Sequence, residues 1–197
     1  MRLVQYFSNS LLVKPNNLLS IVAVLAVIGP VVILSAGIWD AISHLQGKPE
    51  LFWTIQHISV YTGVSLVTAA GAIGLLLLVR NVVKGILKKG IQLVIVGSII
   101  QLVSGFGDSL SHEVYGIDGL LSWSHQPLEF GIILAALGGF LIMKSRQHTK
   151  LKVFLPFSII ALLLLTGWLG FNVFLFFGHV IQCIPVYSIF SSGCSIL

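Results

Sequence analysis

Two residue types with metal-binding side chains recur at one spacing in this chain. Asp40, His44 and His57 form the pattern Asp-x3-His-x12-His, and Asp108, His112 and His125 repeat it without a gap. An Asp and a His four positions apart project from one face of a helix, one turn from each other. After a short turn around Gly47, Lys48 and Pro49, a second helix returns His57 to a depth close to that of Asp40. Two imidazoles and a carboxylate then converge across one hairpin. Such a set suits a divalent first-row metal: copper, zinc or ferrous iron. Neither Cys183 nor Cys194 belongs to the pattern, so no softer ligand is on offer. The competing reading is a hydrogen-bonded structural cluster, the usual role of a lone histidine in a membrane. Ionisable groups in apolar spans are costly, however, and mark function or pairing. Repetition of the whole triad favours the metal. Haem fits less well, because bis-histidine ligation gives the neighbouring Asp no role.

The triads belong to a longer internal repeat. A shift of 68 positions carries Asp40, His44 and His57 onto Asp108, His112 and His125. The same shift carries Gly29 onto Gly97, Gly37 onto Gly105, Gly63 onto Gly131 and Gly71 onto Gly139. Apolar matches arise by chance in a sequence this hydrophobic; three polar residues in register do not. Two hairpins are thus expected as parallel copies of one unit, related by a pseudo-two-fold axis along the membrane normal. The repeated glycines read as positions of close helix packing.

The elements that must position these residues are membrane helices. Five stretches reach the length of about 20 apolar residues needed to cross a bilayer. They run from Leu18 to Ser43, Trp53 to Val79, Ile91 to Ser111, Leu121 to Met143, and Val153 to Phe177. The first is too long for a signal-peptide core of roughly 7–15 residues, and it leads directly into the first triad. The expected fold is an all-α, polytopic transmembrane bundle of two tandem repeated hairpins plus a fifth span. Its segments are an interfacial N-terminus (1–17), a first hairpin (18–79), a basic loop (80–90), a second hairpin (91–143), a second basic loop (144–152), and the fifth span with an apolar tail (153–197). Pro15 and Asn16 are expected to break the N-terminal stretch before the first span. The tail fits either a short re-entrant segment or part of a sixth span.

Charge gives the orientation. Arg2 and Lys14, then Arg80, Lys84, Lys88 and Lys89, then Lys144, Arg146, Lys150 and Lys152, all fall on one side of the alternating spans. The positive-inside rule assigns that side to the cytoplasm. Only Lys48 falls on the other side, and all acidic residues lie near the outer ends. The N-terminus is therefore expected inside the cell, with both triads and the C-terminus on the outer face.

Composition excludes much else. Apolar residues make up 56% of the chain and charged residues 9%, too few charges to keep a soluble domain of this size dispersed. The net charge of +5 follows membrane topology rather than a basic patch, so nucleic acid is not an expected partner. No phosphate-cradling loop or nucleophile elbow is present. His179 lies past the fifth span and reads as interfacial, and His148 as a solvated loop residue. Cys183 and Cys194 fall on the side where a disulfide persists.

The Asp-x3-His-x12-His pattern, with two ligands closing one span and the third opening the next, resembles the copper-site segment of the C subunit of copper membrane monooxygenases. These are the particulate methane and ammonia enzymes. The resemblance implies that Asp108, His112 and His125, and equally Asp40, His44 and His57, bind copper at the outer side of the membrane. That subunit carries one such triad and an aromatic residue before its first histidine. This chain carries two, preceded by Ser43 and Ser111, more like prokaryotic membrane proteins with doubled hairpins. The resemblance therefore implies copper more directly than it implies oxygenase activity. The expected function is a membrane metal-binding protein, copper preferred and zinc or iron the alternatives, acting within or beside a copper-dependent oxidase or monooxygenase complex. Its expected partners are other membrane subunits and the lipid bilayer. The alternative is a non-catalytic scaffold or small transporter whose Asp and His residues form a proton-linked or hydrogen-bonded network.

Overall fold

Inside hydrocarbon every backbone N–H and C=O must find its partner within the chain, which leaves a long apolar segment one local solution, the α-helix. The computed structural model describes residues 15–46, 53–115, 125–145 and 150–177, and among them there are helices and no strand. The helices are α1 (Pro15–Leu45), α2 (Ile55–Val79), α3 (Gly85–Tyr115), α4 (His125–Ser145) and α5 (Leu155–Phe177), the last preceded by a 3-10 turn, Lys150–Phe154. All five are long and apolar enough to cross a membrane. The chain is a multi-pass, all-α membrane bundle. The N-terminal stretch Met1–Lys14, the turn around Lys48, and His148, His179, Cys183 and Cys194 lie outside the described residues, as do the side chains of His44 and His112.

Two helices start earlier than expected. Pro15 and Asn16 open α1 rather than precede it, since proline at the first helical position has no hydrogen bond to lose and a φ already suited to the helix. Helix α3 begins at Gly85, within the basic segment, and carries Lys88 and Lys89 on its first turns. The α2–α3 connection can be this short because Asn81 and Gly85 take left-handed backbone angles, φ 54° and 58°.

The four helices of the repeat form a ring. Helix α1 packs most closely on α2, and α3 on α4; α2 also meets α3, and α1 meets α4. Those last two interfaces exchange under the 68-residue shift, as a two-fold axis requires. Glycine contacts carry the same symmetry. A Cβ on Gly29 would lie 3.0 Å from the carbonyl of Gly63, and one on Gly63 would lie 2.8 Å from that of Gly29. In the second hairpin Gly97 and Gly131 face each other in the same way, at 2.6 and 3.0 Å. Between hairpins, Gly71 meets Ile95 and Ser98, and its counterpart Gly139 meets Ala26 and Val27. Lipid tails are as apolar as the helices, so association rests on van der Waals contact, and small residues allow the backbones to approach.

The interior at the basic end carries an apolar core, with Val22, Ala26, Ala70, Leu77, Ile91, Val94 and Ile142 sealed from solvent. Helix α5 lies outside the ring, against α4 and α1. It has no repeat counterpart and leaves Leu163, Leu164, Phe171 and Phe174 exposed.

Candidate functional site

Antiparallel hairpins place the C-terminal ends of α1 and α3 beside the N-terminal ends of α2 and α4. Asp40 and His57 meet at one junction, and Asp108 and His125 at the other. Asp40 Oδ2 lies 3.7 Å from His57 Nε2, and Asp108 Oδ1 lies 3.2 Å from His125 Nε2. The second separation is hydrogen-bond distance; the first is an ion-pair contact too long for a direct hydrogen bond. All four side chains are largely buried, between 9% and 16% exposed.

Local chemistry holds the first pair. Thr54 caps α2, its hydroxyl accepting from the backbone N–H of His57 at 3.3 Å. The same hydroxyl sits 3.4 Å from His57 Nδ1, leaving Nε2 toward Asp40. One turn further along α1 than Trp39, Ser43 donates to the Trp39 carbonyl and receives a 2.8 Å hydrogen bond from Gln56 Nε2. Ser43 therefore ties α1 to α2 at the level of the site.

Both pairs open on one cavity of about 80 Å³. Its wall includes repeat counterparts: Gly37 and Gly105, Asp40 and Asp108, His57 and His125. Deeper in, Val60 stands opposite Leu128, and Val64 opposite Ile132. The cavity thus lies between the hairpins, on the pseudo-symmetry axis. A Cβ on Gly37 would meet nothing within 4 Å, and one on Gly105 would meet only the Tyr61 ring, at 3.5 Å and beyond. These two glycines make room, whereas packing was the role expected of them.

One pair of counterparts breaks the symmetry. Tyr61 of α2 donates a 3.1 Å hydrogen bond to the carbonyl of Gly105. In the second repeat its place is taken by Glu129, 8% exposed, whose Oε1 accepts from Trp168 Nε1 at 3.1 Å and from Asn172 Nδ2. Both donors belong to α5. Oε2 of Glu129 is buried and has no hydrogen-bond partner among the described residues.

The sequence reading had Asp40, His44 and His57 converge, and likewise Asp108, His112 and His125; the structure brings Asp40 to His57 and Asp108 to His125. His44 and His112 lie on α1 and α3 one turn beyond Asp40 and Asp108. Among the described residues no group of three His, Cys, Asp or Glu side chains is close enough to hold a metal. The sequence reading missed the common cavity, Glu129 as part of it, and Trp168 and Asn172 as its supports. The available signal was an acidic residue within a span, standing where the other repeat has an aromatic one.

Fold and site together define a duplicated-hairpin membrane bundle with paired Asp–His groups around an axial cavity. Compared with known families, curated proteins and solved structures, the chain matches none.

Proposed function

We propose that this chain is a membrane metal-binding protein, with copper as the preferred metal and zinc or iron as alternatives. In this reading it serves as a subunit of, or accessory to, a copper-dependent membrane oxidase or monooxygenase. The observation that carries the reading is the facing of two repeat-equivalent Asp–His pairs onto one cavity. Their separations of 3.2 and 3.7 Å bracket the spacing of two ligands on one ion. With metal–ligand bonds of about 2.0–2.1 Å and tetrahedral angles, ligand atoms stand roughly 3.3 Å apart. His44 and His112 are the third ligands, reached from the turn after each Asp. The sites face the outer side of the membrane, because Arg80, Lys84, Lys88, Lys89 and Lys144 gather at the opposite end and positive loops stay inside. The apolar outer face of α5 suits lipid and other membrane subunits as partners.

The test is elemental analysis of detergent-purified wild type and of the double variant His44→Ala, His112→Ala. Copper at about one or two equivalents per chain, lost in the variant, is the expected result. Copper should also be lost on dialysis into mild acid, because the ligands must be ionised carboxylate and neutral imidazole. Stoichiometric zinc would keep the site and discard copper. No metal after reconstitution with copper, zinc and iron would overturn the proposal in favour of a hydrogen-bonded cluster.

That second reading has its own support. Asp108 and His125 are already within hydrogen-bond distance. Gln101, two turns deeper on α3, is fully buried, and neither side-chain polar atom has a hydrogen-bond partner among the described residues. A proton-linked network in a scaffold or small transporter would use such groups.

A further inference from the structure

The cavity holds more acidic side chains than its own walls can balance. Asp40, Asp108 and Glu129 line it, together with two histidines, and neither Lys nor Arg does. With all three carboxyls ionised and both imidazoles protonated, one negative charge remains. Each Asp has a histidine across a helix junction, whereas the hydrogen bonds to Glu129 come from the neutral donors Trp168 and Asn172. Both end on Oε1, while Oε2 is buried without a hydrogen-bond partner among the described residues. A carboxylate kept from water needs a proton or a cation beside it. Two aromatic rings, Tyr61 and Trp168, share the wall with Glu129, and aromatic faces attract cations. The remaining wall is apolar and includes Ile33, Leu34, Val64, Ile132 and Leu165.

We propose that the axial cavity is a binding site for a small primary ammonium compound, its charged end on Glu129 and its alkyl part against the apolar wall. A water-sized group needs roughly 10–15 Å³ of such space, so a cavity of about 80 Å³ takes about five to eight non-hydrogen atoms. Butylammonium is of that size. The site goes beyond the metal reading and does not depend on it: Glu129 is not one of the six proposed ligands, and α5 supplies its support.

Trp168 reports on the site, because its indole N–H is bonded to Glu129. Detergent-solubilised full-length protein, kept in chelator, is titrated with butylammonium and with 1-butanol, its neutral analogue of the same size, while tryptophan emission is followed. A saturable change with butylammonium, at least tenfold weaker in Glu129→Gln, and no matching response to 1-butanol, is the expected result. A second variant, Gly37→Leu, places a side chain where a Cβ meets nothing within 4 Å and should abolish the response by filling the cavity. Equal responses to the two probes, unchanged affinity in Glu129→Gln, or persistence of binding in Gly37→Leu would each overturn the proposal. Chelation separates the outcomes, since loss of the metal reading leaves this titration unaltered.

Discussion

At the scale of the residue, the site depends on small groups that aim larger ones. Thr54 caps α2 and touches the ring of His57 with the same oxygen. Removing that oxygen with Thr54→Val should cost about 1 kcal/mol of stability, the usual value of an N-cap. On the proposed metal reading it should also lower occupancy at the first pair while sparing the second. Unfolding in mixed micelles and elemental analysis of the variant check both effects. The Asp and His residues were legible in the sequence because their spacing repeats. Glu129 was not. It lies one turn beyond His125, and its hydrogen bonds come from α5, at Trp168 and Asn172, 39 and 43 positions further along the chain. No periodicity within a hairpin encodes that contact.

At the scale of the element, glycine has two opposite uses, and substitution should separate them. Gly97 lies so close to α4 that an added Cβ would stand 2.6 Å from the Gly131 carbonyl and 2.8 Å from the Ala135 nitrogen. Backbone cannot rotate aside as a side chain can, so Gly97→Ala should destabilise by about 1–3 kcal/mol, the range for overpacking. Gly37→Ala meets open space and should be neutral or stabilise by up to about 1 kcal/mol, as alanine replaces glycine in a helix interior. Thermal unfolding of the two variants decides the matter, and equal losses would contradict the packing described. Both glycines look alike in the repeat. Gly97 packs within its own hairpin, whereas Gly37 lines a cavity between the two hairpins, and helix periodicity carries no information about how the hairpins pair. The five spans, by contrast, were legible because hydrocarbon permits an apolar segment little other than a helix.

At the scale of the whole molecule, a symmetric ring is completed by an asymmetric fifth helix. Trp168 and Asn172 join α5 to the ring by hydrogen bonds to Glu129, and Ala161 and Leu165 by apolar packing. Asn172 is 1% exposed, so Asn172→Leu removes a donor from a buried carboxylate and should cost about 1–3 kcal/mol. Adding Glu129→Leu to that variant should recover part of the loss, because removing both members of a buried polar pair costs less than removing one. A double-mutant cycle in detergent measures the recovery, and strictly additive losses would show that the contact does not couple the two helices. The doubled hairpin was legible as a repeat. The convergence of its two halves on one chamber was not, since a repeat shows that two units are alike and leaves open whether they face each other.

The facing glycines also set the mechanics of the bundle. At Gly29–Gly63 and Gly97–Gly131 backbone touches backbone, so the helices of each hairpin have no slack there and act as levers about a fulcrum. Asp40 and Asp108 each lie eleven residues from their fulcrum, about 16 Å at 1.5 Å of rise per residue. A tilt of roughly 4° would therefore move a carboxylate by about 1 Å across that arm. A small rigid rotation about the facing glycines would therefore open or close the chamber on the ångström scale.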